Sequence, residues 1–583
     1  MIDLCKMSRF IFVALIASFL LTAKTSRADD TPTTVDEGTQ RQAVEDSSQS
    51  TNAKEKVNQG EKYLHEATRL KITASNFGDL SEVTRLCKQA IREGLDQQNL
   101  KFARQLLAAT LFERASRICN EIFERSPPND NWPTLALSAR VSLEEAVEYQ
   151  EIFPEAYLLI GKLHLLPGGN KKRVKSALDM AISQSQADPV LQAMALTLRG
   201  EIRETPKAQL ADFNAALRLQ PDHVDALRLR GRHFMSNDDP EKAVEDFRRL
   251  VALKPGDANV NEMLGLALLF ANRADDSLEV FNRVIEIDPE RPDPYAYRAE
   301  IFLHQKEFDR ALDDINRAID RVVDNLGWRL LRAQIYWRQK KYTDALKDIE
   351  RVLIVDPKRL HAIRMRAAVL TEDGQLDEAI AGMERAVEAL PEENDLLMNL
   401  AVYYAGNHQT NEALQIYDKL LDRSLPHAII YQYRGDLFLN IGKQAEAIKD
   451  YDQALKLQPN DSGILNNLAW VLATSTEDEL RDAERALELA KRACEVTQYK
   501  EAHILSTLAA AFAEKGNFTE AVRWSEEAVK LGNPAVDDQL KAELKSYREG
   551  KPWREKHTTS QNTGHNQSEQ ASPDDAQDTR NGK

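Results

Sequence analysis

Residues 222–255 read DHVDALRLRGRHFMSNDDPEKAVEDFRRLVALKP. Two stretches rich in helix formers flank a break at Asn237-Asp238-Asp239-Pro240, and a proline closes the block, so the segment predicts two helices joined by a turn. Working outward, the closing proline recurs at Pro221, Pro255, Pro289, Pro357, Pro391 and Pro459, every interval being 34 residues or a multiple of it. Where a rung is missing the register survives, with Val323 in one empty slot and Leu425, just before Pro426, in the other. A second ladder of small residues runs Ala243, Ser277, Ala311, Ala345, Ala379, Ala413 and Ala447. Four residues on stands a large one each time: Phe247, Phe281, Ile315, Ile349, Met383, Tyr417 and Tyr451. Spacing i to i+4 puts both on one helix face, where the small residue admits a neighbouring helix and the large one fills the gap beside it. A further small series, Gly231, Gly265, Ala299, Ala333, Ala367, Ala401 and Gly435, lies on the preceding helix at the close crossing of the pair.

A single helical hairpin cannot bury its apolar face, whereas stacked hairpins share a core that grows with the chain. Such an array accounts for 583 residues without one oversized globule. The 34-residue period and the small, small, aromatic, proline pattern resemble the tetratricopeptide repeat family over about Pro154 to Ala535, in about eleven units. The resemblance implies an all-α fold, a right-handed superhelical solenoid of antiparallel helix pairs that binds other proteins. Departures from the pattern are the loop Leu166-Pro167-Gly168-Gly169-Asn170, a unit near residue 190 about three residues short, and an insertion over Thr474 to Arg485.

Outside the array, residues 59–153 have helical patterning without the ladders and read as degenerate helix pairs. Residues 536–554 read as a capping helix, with Val536, Leu540, Leu544 and Tyr547 on one face and Gly550 as its stop. The stretches 29–58 and 555–583 are too polar to offset the entropy of ordering and are expected to be disordered. At the start of the chain, Lys6 and Arg9 precede an apolar run from Phe10 to Leu21, and Ser26-Arg27-Ala28 follows. This predicts a signal peptide over residues 1–28 and an exported protein, periplasmic or extracellular; the alternative is an uncleaved N-terminal membrane anchor.

One position in the first helix of each unit is either Arg or apolar, and its choice tracks a residue on the second helix. Arg199 goes with Asp212, Arg230 with Asp246, Arg298 with Asp314, Arg332 with Asp348 and Arg434 with Asp450. Elsewhere both are apolar: Ile160 with Met180, Leu264 with Val280, Leu400 with Ile416, Leu468 with Leu489 and Leu508 with Trp524. Joint switching predicts contact, because a partly buried guanidinium without a carboxylate is costly. Arg366 faces Gly382 and breaks the rule, so it either borrows Asp348 from the unit before or is left for a ligand.

The resemblance further implies that first helices line a groove for extended or helical protein segments. Met235, Leu269, Leu303 and Trp337 share one groove position, and the next residue along contributes Phe270, His304 and Arg338. Apolar anchors with orienting polar groups would suit a protein or peptide segment, and Trp470 is a further candidate. Side chains at such spacing also suit the core, so both readings stand at this stage. Lys and Asn at the positions that the family's binders of acidic C-termini use are not found.

A net charge of −16 disfavours nucleic acid and anionic lipid. Membrane contact is expected only if the N-terminal segment stays uncleaved. Cys87, Cys119 and Cys494 have neither zinc-type nor disulfide-framework spacing. No catalytic, phosphate-cradling or metal-ligand motif stands out, so no enzyme, cofactor, metal or small-molecule substrate is expected. Two functions fit: an extracytoplasmic scaffold that binds partner segments in its groove, or an assembly subunit of a cell-envelope complex with the array as spacer.

Overall fold

The computed structural model describes residues 59–124, 130–423, 427–532 and 537–555. The expected signal peptide, the 29–58 linker and the tail from residue 556 lie outside the described residues. Among the described residues all regular structure is helical. The chain divides into two compact units at Ile301/Phe302, each described by itself.

The first unit begins with helices at 59–73, Phe77–Glu93, Gln97–Glu124 and Trp132–Tyr149. Their cluster includes Val83, Leu86, Leu106, Phe112 and Ile118, and it continues into the first hairpin through Phe153, whose ring centroid lies 4.9 Å from that of Phe112. Four hairpins follow: Pro154–Leu165 with Lys171–Gln184, Pro189–Glu201 with Pro206–Leu219, Val224–Ser236 with Pro240–Leu253, and Ala258–Phe270 with Ala274–Ile287.

The second unit runs in the same manner from Phe308–Arg321 and Leu326–Arg338 to Ala502–Glu514 and Phe518–Leu531. It ends on a helix at Asp537–Arg548 that buries Leu540, Leu544 and Tyr547. Of the 536–554 range only Asp537–Arg548 is helical: Gly550, the stop read from the sequence, takes φ +69°, and Lys551–Glu555 is not helical. In the 474–485 insertion a short 3-10 turn, Asp478–Leu480, precedes the helix Ala483–Val496.

Local chemistry fixes the ends of the helices. Asp188, Asp257, Asn325 and Asp461 accept bonds from free backbone N–H groups of the first turn. Second helices end at Leu219, Leu253, Ile287, Val355, Ala389 and Leu457, two residues ahead of each recurring proline. In seven successive hairpins the internal turn holds a left-handed residue, at Asp238, Asn272, Lys306, Lys340, Gly374, His408 and Gly442, again 34 residues apart.

Close crossing of the helices follows from the small positions. A Cβ on Gly231 would lie 2.4 Å from the Phe247 ring, and one on Gly265 would lie 2.6 Å from Phe281. Both rings are buried, so neither can swing out of the way without opening the hairpin. First helices also touch their counterparts in the next hairpin, as Pro189–Glu201 does with both Pro154–Leu165 and Val224–Ser236.

Candidate partner-binding surface

The arginine series lies in the seams between helices. Arg230 donates from Nε to Asp246 Oδ2 at 2.8 Å and from Nη2 to Oδ1 at 2.6 Å. The same two-pronged geometry joins Arg199 to Asp212 at 2.9 and 2.6 Å, Arg332 to Asp348 at 2.7 Å twice, and Arg434 to Asp450 at 2.7 Å twice. All four carboxylates are buried. Hydrogen bonding to Asp212 and Asp348 raises the Arg199 and Arg332 guanidiniums above their ordinary value. The fifth pair, Arg298 and Asp314, falls on either side of the division of the chain; Asp314 is buried and Arg298 donates to Asn282 Oδ1 at 2.6 Å.

A third bond went unread in the sequence. Each remaining Nη1 reaches the preceding hairpin's second helix: Arg199 to Asp179 at 2.7 Å, Arg230 to Asn214 at 2.7 Å, Arg332 to Asn316 at 2.8 Å and Arg434 to Asp418 at 2.5 Å. One guanidinium therefore joins three helices. The signal was present as an Asn or Asp 16 residues before Arg230, Arg332 and Arg434. Arg366 does not borrow Asp348: it pairs with Glu378 at 2.8 Å and Glu350 at 3.6 Å, and its Nη1 fills the space over Gly382. These arginines hold the scaffold together.

The groove series divides by exposure. In the first unit Met235 and Leu269 are half-buried, while Phe270 at the end of its helix is 66% exposed. In the second unit His304 and Arg338 are exposed and Trp470 is half-buried. Leu303 and Trp337 are each only 7% exposed. Trp337 packs with Leu330, Val352 and Val369, so its ring offers little surface to a partner. Its outer side carries the Arg338 guanidinium, 5.5 Å from the ring centroid.

Burial pushes the Cys87, Cys119 and Cys494 thiols up to about 12, and all three are free. Burial likewise lowers His164, His223 and His233 and favours their neutral forms. None of these six side chains is placed as an activated nucleophile or base. Among the described residues no helix is long and apolar enough to cross a membrane.

Tetratricopeptide repeat family models match residues 283–533 and residues 210–258. The chain belongs to the tetratricopeptide repeat family. The tetratricopeptide repeat and J domain-containing co-chaperone DNJ1 of Fusarium oxysporum f. sp. lycopersici is 26% identical over 145 residues, 25% of this chain and 27% of that protein. The match thus spans about a quarter of that relative's length. A tetratricopeptide repeat protein from Parabacteroides merdae ATCC 43184 is 19% identical, covering 42% of this chain and 97% of that one with a TM-score of 0.35. Yeast Tom70 is 15% identical, covering 76% and 96% with a TM-score of 0.38. Tetratricopeptide repeat proteins are in general non-enzymatic, and the array has the fold of a protein interaction scaffold.

Proposed function

We propose that this tetratricopeptide repeat chain is an exported scaffold that holds segments of partner proteins on the surface of its first helices and catalyses no reaction itself. The observation that carries the reading is Phe270. A ring 66% exposed, next to half-buried Leu269 and in line with Met235, is an apolar anchor that the hairpin's own packing does not use. The rings of Phe247, Phe281 and Tyr451, by contrast, are taken up by helix packing. Export rests on the charged, apolar and small-residue sequence of positions 6–28.

Cross-linking of the mature protein in its native envelope fraction, with mass spectrometry of the captured peptides, tests this. Links from a defined protein to the neighbourhood of Met235, Leu269 and Phe270 are expected. Links confined to residues 59–153 within a fixed assembly would instead make the array a spacer in an envelope complex.

A further inference from the structure

The non-helical segment after the last helix lies on the first-helix surface. Gly550 turns the chain, with Lys551 N donating to Ser546 O at 3.0 Å and Ser546 Oγ donating to Lys551 O at 2.9 Å. Beyond the turn, Trp553 packs against the same apolar cluster as Trp470. Arg554 Nη1 lies 2.7 Å from Glu514 Oε2 and 3.4 Å from Ala473 O, and Glu555 N donates to Thr474 O at 2.9 Å. Glu514 is nearly buried and is also held by Arg481 Nε at 2.8 Å. The register is informative. Ala473 stands where Met235 and Leu269 stand in their hairpins, and Thr474 and Glu514 stand where Phe270 does.

Three features make this surface receptive to an extended segment. In the last turn of the helix Ser462–Thr474, Leu472 O accepts from Asp482 N, while Ala473 O and Thr474 O have no partner within the helix and accept from the Arg554 side chain and the Glu555 backbone N–H. The same helix end carries partial negative charge, which adds to the Glu514 carboxylate in favouring a cation. An apolar wall beside it takes an aromatic ring.

We propose that the last two hairpins form a binding site for an extended segment bearing an aromatic followed by a basic side chain, and that Trp553-Arg554 occupies it in the resting chain. A partner segment of that chemistry competes with the chain's own. This deepens the proposed scaffold function at one end of the array and rests on the reading that first helices receive partner segments.

The test uses the full chain and a fluorescent peptide of the sequence Gly550 to Glu555, followed by fluorescence anisotropy. Arg554→Glu, which leaves Trp553 in place to hold the cluster, is expected to bind the peptide at least tenfold more tightly than the wild type. Adding Glu514→Gln to Arg554→Glu should remove that gain. A Trp553→Ala/Arg554→Ala chain, checked for an unchanged helical signal, should bind the peptide more tightly still. Equal binding by the wild type and both opened variants, or no binding by any folded variant, would show that Lys551–Glu555 is only a helix cap and overturn the proposal. Partner links at Met235 to Phe270 are read separately, so failure here leaves the wider scaffold reading to its own experiment.

Discussion

The hairpins Pro189–Leu219 and Val224–Leu253 share their backbone plan with those at Ser462–Val496 and Ala502–Leu531, yet their interiors are opposite in chemistry. In the former, glycines at 200 and 231 meet the rings of Phe213 and Phe247, and Arg–Asp pairs cross the seam. In the latter the crossing residues are Ala469 and Ala509, the seam positions are Leu468 with Leu489 and Leu508 with Trp524, and the cluster runs into the C-terminal helix. The lesson is that size at the crossing sets the hairpin, while the polarity of the seam is interchangeable if both partners change together. An ionic seam brings definite bonding to the neighbouring hairpin, and an apolar seam brings burial without direction.

The difference extends to pH. Glu543 in the C-terminal helix is wholly buried, and burial pushes its carboxyl up to about 7 against hydrogen bonds from Ser506 and Gln539. The folded state therefore keeps a proton that the unfolded state loses near 4.5. Stability from this group is complete below that value and falls as pH rises through about 7, by on the order of 3 kcal/mol in total. Chemical denaturation monitored at the C-terminal end between pH 4 and 8 should show the fall, and Glu543→Gln should flatten it. Hairpins 189–253, where burial lowers His223 and His233 and favours their neutral forms, should show the opposite slope, losing stability as pH falls below about 6.5.

Gly231→Ala is expected to cost about 2 kcal/mol by forcing apart the crossing over Phe247, whereas Ala469→Gly should cost about 1 kcal/mol from helix propensity. Denaturant midpoints of the two variants check this. Asp246→Ala should cost about 2 kcal/mol, since Arg230 then keeps only Asn214, while the same change at exposed Asp225 should lie within about 0.5 kcal/mol of wild type. A smaller effect of the opposite sign is expected at the turns. Lys340→Gly, at φ +59°, should stabilise by about 0.5 kcal/mol or more in a thermal melt, because glycine takes the left-handed conformation without strain.

Much of this plan was legible because packing repeats. The Gly231/Phe247 contact and the Arg230/Asp246 pair recur at fixed offsets, so each hairpin restates them. The left-handed turn position was harder to read, since Lys306 and Lys340 carry no local preference for it and adopt it under the constraint of the hairpin. At the surface the register placed Leu303 and Trp337 correctly on first helices but could not tell that their side chains turn into the core. Sequence patterning stops the capping helix at Gly550 but does not place Lys551–Glu555, whose contacts, to Ala473, Thr474 and Glu514, are remote in sequence. Conformation there is set by tertiary bonds.

Partner capture by two charge substitutions tests the central claim that first helices do the binding. Phe270→Glu places a charge on the exposed end of a first helix, and Ile354→Glu places one at a residue 70% exposed on a second helix. Cross-linked partner recovered from the envelope fraction, normalised to the wild type, is the readout. A loss of about tenfold or more with Phe270→Glu and full capture with Ile354→Glu is predicted. Full capture with Phe270→Glu and loss with Ile354→Glu would contradict the account.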